Sequence, residues 1–187
     1  MGEYSRIYKA DLTDRHLQGF WQLVLDAGRG RRLGWNMPAL DAPAFVRWMR
    51  EPDAHPWIVL FRGAPIGLFL LTEKQGRAAK VHFAMLPSGN ARTAAGPFGR
   101  FPATVGAGLY ALASALWERG ADGAFLLDTL IGIVPRSFTD TEKFVRRMNG
   151  QGFPLPRWAW LHDEGRNDDC TVTCWTRAQV SEAYRNL

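Results

Sequence analysis

The stretch from Lys80 to Trp160 constrains the fold most. An apolar run, KVHFAML, leads into a loop rich in Gly and Arg, and the loop feeds a helical segment, ATVGAGLYALASALWERG. A second apolar run, AFLLDTLIGIV, stops at Pro135. A short polar turn then opens an amphipathic helix, TDTEKFVRRMNGQ, which closes on Gly152-Phe153. Two strands joined through a crossover helix are expected to be parallel neighbours, since antiparallel partners need only a tight turn. The predicted pair is Ala79–Leu86 and Ala124–Val134, with the helix between Pro102 and Arg119. A strand running into a helix N-terminus is also a common cradle for phosphate.

The rest of the chain supplies a mixed sheet with helices on both faces, an α/β (α+β) arrangement. Residues 5–10 read as a first strand. LTDRHLQGFWQLVLDAG follows as a helix capped by Thr13 or Asp14, lined by Leu17, Phe20, Trp21, Val24 and Leu25, and ended by Gly28. The loop RGRRLGWNMP carries Arg29, Arg31, Arg32 and Trp35. Asp41 then caps a second helix with Pro43 in its first turn and Phe45, Val46, Trp48 and Met49 as its apolar positions. PWIVLF and IGLFLLTEK form a hairpin around a tight RGAP turn, and the strand from Ala79 is its third member. Two final strands are expected around Ala159–His162 and Thr171–Trp175, joined by a turn over Asp163–Asp169, with Ser181–Leu187 as a tail. No linker or repeat divides the chain, so residues 1–187 are expected to be one domain.

The hydrophobic fraction of 47% supports a core, and 23 basic against 18 acidic residues give a net charge of +5. That mild excess suits an anionic small ligand, and nucleic acid is not the expected partner. No run reaches the roughly 20 apolar residues that span a bilayer. The polar N-terminus resembles neither a signal peptide nor, with Arg6 at the Ser/Thr position, a myristoylation site, so a cytoplasmic location is expected. Cys170 and Cys174 lie in the β-branched segment CTVTCWT. In a strand their Cα atoms are ~13 Å apart, too far for a disulfide or for convergence on one metal ion.

The element order, the Gly152-Phe153 ending and the closing segment DDCTVTCWTR resemble the GNAT superfamily of acyl-CoA-dependent acyltransferases, from about Arg6 to Arg177. The HF of the strand at His82 and the VP turn at Pro135 look most like members encoded in phages and prophages. The resemblance implies a splay between the two parallel strands, with acetyl-CoA as co-substrate and no metal. It places the pantetheine against Phe83, Ala84, Met85 and Leu86. The pyrophosphate falls near Arg100, Ala103, Thr104, Val105 and Gly106, and an amine acceptor, small molecule or protein, near Trp35 and Asn36. A homodimer is compatible with it.

Two departures bear on function. The family's pyrophosphate loop, Arg/Gln-x-x-Gly-x-Gly/Ala, is matched by Arg100-Phe101-Pro102-Ala103-Thr104-Val105 only in its Arg, and Gly106 and Gly108 lie further along. Those two glycines serve either phosphate approach or close helix packing. The family's general acid is a Tyr four residues before the Gly-Phe pair. Here that position is Met148, a core residue by its chemistry. The candidate base is His82, on the opposite face of its strand from Val81 and Phe83, with a titration expected near 6.5. Glu73 and Asp128 come next. Two readings stay open: an N-acyltransferase moving an acetyl group to an amine, or an accessory or assembly protein that keeps the fold and has lost the cofactor.

Overall fold

The computed structural model describes residues 3–33, 35–37, 40–86 and 103–185. In chain order the elements are β1 (Tyr4–Tyr8), α1 (Asp14–Asp26), α2 (Gly30–Leu33), α3 (Ala42–Arg50), β2 (His55–Phe61), β3 (Ala64–Gln75) and β4 (Ala78–Met85). There follow α4 (Ala103–Leu116), β5 (Thr129–Pro135), α5 (Thr139–Arg147), β6 (Gln151–Leu161), β7 (Arg166–Thr176) and α6 (Arg177–Arg185). The seven strands form one sheet in the order β1-β2-β3-β4-β5-β7-β6.

Local chemistry explains the boundaries of the first half. Thr13 caps α1 through its side chain, which accepts from the His16 amide at 3.2 Å, and His16 Nδ1 accepts from the Thr13 amide in return. Leu17, Phe20, Trp21 and Val24 are buried, but Leu25 is 45% exposed and does not belong to the apolar face. Asp41 caps α3 with a 2.7 Å bond from the Ala44 amide. The β2–β3 turn is Arg62-Gly63, both at positive φ (50° and 79°), the geometry that matches strand twist in a two-residue hairpin.

The parallel pair is present. Ala78, Ala79 and Lys80 pair with Thr129, Leu130 and Ile131, and there the pairing ends. Beyond it β4 continues to Met85 paired with β3 alone, and β5 continues to Pro135 paired with β7 alone. The two strands therefore splay. The fifth strand starts at Thr129 rather than Ala124. Gly123 at φ 76° and the Asp122 carboxylate, which accepts from the Ala124 amide at 3.0 Å, build a turn there instead, and the β-branched run begins only afterwards.

The C-terminal part differs more from expectation. The last two strands run over Gln151–Leu161 and Arg166–Thr176, far beyond the expected cores. Pro154 and Pro156 argue against a strand in sequence. Because β6 is the sheet edge, their missing N–H groups cost no ladder bond. The turn over Asp163–Asp169 shrinks to a helical turn at His162–Glu164 closed by Gly165 at φ 59°. The segment from Ser181 is not a tail but the second half of α6, which buries Val180 and Ala183. Cys170 and Cys174 are free.

Side-chain alternation sorts the sheet into two faces. On one, α4, α5 and α6 pack over Trp57, Phe69, Val81, Leu130 and Trp175. On the other, α1 to α3 cover only the β2–β4 half, over Ile58, Leu68, Leu70 and Ala84. The remaining half of that face carries Ile131, Ile133, Val172 and Cys174, all partly exposed, and Phe153, 48% exposed. Among the described residues none of these belongs to the helix-covered cluster.

Candidate active site

His82 stands on the seam between the covered and the bare half of the sheet. It pairs across β3 with Leu70, on the face of Ala84, while Val81 and Phe83 face α4 and α5. Its ring shares a 3.0 Å hydrogen bond with Thr72 Oγ1 through Nε2 and meets the edge of Trp48 at 5.7 Å. Burial pushes its pKa down to about 4. The Lys80 ammonium adds to the shift and the Glu73 carboxylate opposes it. The sequence expectation of titration near 6.5 is therefore corrected: desolvation of the ring favours the neutral form.

Where β4 and β5 part, a cleft of about 40 Å³ opens. His82 and Phe83 of β4 line it on one side and Ile133 and Pro135 of β5 on the other, with Trp35 and Phe138 also in its lining. Structure thus brings together His82 and Phe83 of β4 with Trp35 of the loop before α3, two separate segments. Asn36 is exposed beside Trp35 and does not line the cleft. The Trp35 carbonyl accepts from the His162 amide at 3.0 Å, so the loop before α3 is tied to the β6–β7 end. Thr72, Ile133 and Phe138 went unremarked in the sequence. Thr72 sits opposite Lys80, and only the β3–β4 register reveals its reach to His82.

The backbone of Phe83, Ala84 and Met85 pairs with Phe69, Leu68 and Gly67 on one side and with no strand on the β5 side. The Leu86 amide donates to Ile66 O at 2.9 Å. This leaves an unpaired strand edge facing the splay, the arrangement to which an extended amide-bearing chain can add. Helix α4 starts at Ala103, so its first-turn amides (Ala103, Thr104, Val105, Gly106) belong to a helix N-terminus with anion-binding polarity. Arg100 lies outside the described residues.

The side chains there serve packing. Ala103 and Val105 are fully buried. Tyr4 Oη donates to Ala103 O at 3.0 Å, and a Cβ on Gly106 would come within 2.3 Å of that Tyr4 hydroxyl. A Cβ on Gly108 would meet Met148 Sδ at 2.4 Å and Phe144 Cζ at 2.8 Å. Both glycines let neighbours close onto α4. Met148 is itself fully buried, so the position where a GNAT acid would stand is core. Burial, with Glu3 adding, pushes the Tyr4 hydroxyl up to about 12.

The other carboxylates are committed elsewhere. Lys80 Nζ holds Glu73 Oε1 at 2.9 Å. Asp128 lies just before the paired end of β5, gripped by Arg177 and by Arg77, whose Nε is 2.7 Å from Oδ2. The Arg177 hydrogen bond holds the Asp128 carboxyl below its usual range. Arg177 also bonds Leu116 O and Leu127 O, which makes this cluster a clamp between α4, β5 and α6. Among the described residues no group of three His, Cys, Asp or Glu side chains could hold a metal ion. Among them, too, no helix is long and apolar enough to cross a membrane.

No protein-family model matches the chain, and no curated protein matches it. Solved structures do. An acetyltransferase from Salmonella typhimurium that modifies the N-terminal serine of ribosomal protein L7/L12 superimposes with a TM-score of 0.68, over 94% of this chain and 96% of its own, at 10% identity. The chain has the GNAT fold. A probable GNAT-family acetyltransferase from Chromobacterium violaceum matches with a TM-score of 0.68 at 15% identity, over 96% of this chain and 85% of its own. Spermidine N-acetyltransferase from Vibrio cholerae, solved with CoA and spermine, matches with a TM-score of 0.65 at 11% identity, over 97% and 99%. At such identities the likeness is one of GNAT architecture, and activity has to be argued from this chain's own residues.

Proposed function

We propose that the chain is an acyl-CoA-dependent N-acyltransferase, a single cytoplasmic domain over residues 1–187 that moves an acetyl group from acetyl-CoA to an amine. The observation that carries this is the splay: β4 and β5 pair over three residues and then part, leaving the edge at Phe83–Met85 open. That edge and the α4 N-terminus fit the two halves of the cofactor. Main-chain groups of Phe83 to Leu86 would hold the pantetheine, and the amides from Ala103 to Gly106 the pyrophosphate, with Arg100 adding charge. Bound acetyl-CoA would supply an activated acyl group as a thioester.

The chain's own contribution is position and proton handling. With its hydrogen on Nε2, His82 donates to Thr72 Oγ1 and keeps the Nδ1 lone pair free. Because its pKa is near 4, that lone pair is available throughout the neutral range to take the proton an amine sheds, directly or through a water. Trp35 and Asn36 flank the acceptor's approach over the bare half of the sheet, which offers apolar side chains rather than carboxylates.

Calorimetry with acetyl-CoA tests the cofactor assignment. One site per chain is expected, and at a hundred times the dissociation constant the ligand should stabilise the fold by ~2.7 kcal/mol. No heat and no shift in melting at millimolar acetyl-CoA or longer acyl-CoA would instead favour the accessory-protein reading.

A further inference from the structure

A second cleft opens at the opposite end of the sheet from the splay, under the last turn of α4. It encloses about 370 Å³, a small-molecule size. Its floor is apolar, made by Trp57, Leu71, Ala115 and Leu127. Its rim carries three cations, Arg6, Lys9 and Lys74, against one carboxylate, Glu118, with His55 beside them.

The cations differ in how they are engaged. Lys9 Nζ is committed to the carbonyls of Glu51 and Ala54, at 2.8 and 2.5 Å. Arg6 lies over the Tyr8 ring at 4.1 Å and has no carboxylate partner among the described residues. Lys74 is exposed and likewise has none. The Trp57 indole N–H, on a residue only 7% exposed, is buried without an acceptor. Three fixed positive charges over a low-dielectric floor focus a positive potential into the cleft. Acyl transfer as proposed uses none of these groups.

We propose that this cleft binds a small monocarboxylate with an apolar body. The carboxylate sits between Arg6 and Lys74, where charge-assisted hydrogen bonds outweigh their neutral counterparts. The body covers Trp57, Leu71 and Ala115. The site is independent of the acyl-transfer reading, since it lies below the paired end of β4 and β5.

Decanoate is the probe, titrated calorimetrically into the full chain. One site is expected, and decyltrimethylammonium, with the same chain and the opposite charge, should give no heat. Arg6→Gln combined with Lys74→Gln should weaken decanoate about tenfold. Ala10→Trp, a substitution at the exposed rim, should block it sterically. Saturating acetyl-CoA should leave decanoate affinity unchanged. Four results would each overturn the proposal: no decanoate heat at millimolar concentration, equal binding of the cation, displacement by acetyl-CoA, or full affinity in both variants with their folds intact by circular dichroism.

Discussion

Replacing His82 with glutamine should lower turnover on an accepted amine by roughly a hundredfold or more, the scale of a lost general base, with acetyl-CoA affinity unchanged. Glutamine keeps a donor for Thr72 Oγ1 and removes the basic nitrogen. In the wild type the acidic limb of the rate profile should fall near pH 4 rather than 6.5, since only below about 4 does the folded protein protonate the ring. The same shift makes a stability prediction. The unfolded chain binds a proton on this His below pH 6.5, while the folded one resists until about 4. Stability that is complete above 6.5 is therefore lost as pH falls toward 4, by about 3 kcal/mol. Urea melts across that window should show the loss in the wild type and not in His82→Gln. Equal turnover would move the base elsewhere. Equal acid sensitivity would mean that the ring is not held neutral.

Gly106→Val should destabilise the fold by about 3 kcal/mol, combining overpacking with loss of one buried hydrogen bond. For a chain of this size that is a drop in melting temperature of roughly 6–12 °C. The new Cβ would fall 2.3 Å from Tyr4 Oη. Tyr4 cannot easily yield. It is bonded to Ala103 O and lies between Phe61 at 5.2 Å and Tyr110 at 5.8 Å. The collision displaces the first turn of α4, so acetyl-CoA should also bind more weakly. Tyr4→Ala in the same chain should relieve the clash, and the double variant should cost less than the sum of the two. Unchanged melting would show that the helix start tolerates a side chain there.

Sequence periodicity was enough for the order of the strands, the parallel pair and the face on which His82 lies, but not for the short α2 or for α6. It failed where tertiary position overrides a local signal. Pro154 and Pro156 forbid an inner strand but not an edge one, and only the sheet order reveals which β6 is. Ser181–Leu187 looks like a tail because its helix has little apolar content; Val180 and Ala183 hold it by packing on the sheet's α4 side. At the cleft, alternation gave the face of His82, while Trp35 came only from the family resemblance. The Thr72 partner and the depressed pKa needed the register and the burial. The glycines at 106 and 108 illustrate the converse: a phosphate-loop glycine and a packing glycine are the same letter, and only the neighbours of the missing Cβ distinguish them.

The short parallel seam has a consequence for the order in which the chain assembles. β2 and β3 close through two residues, and β6 and β7 through a single helical turn. By contrast Ala78 meets Thr129 roughly fifty positions along the chain, a loop-closure cost comparable to that of the β1–β2 pair, which five residue pairs reward. With three residue pairs to reward it, the seam is expected to close last and to open first. Native-state amide exchange should show this as a sub-global opening across β4 and β5, below the energy needed to expose β3. An acyl-CoA lying along the splay would raise that opening energy, acting on the fold as a late-fitted staple. Uniform protection across β3, β4 and β5 in the free protein would refute it.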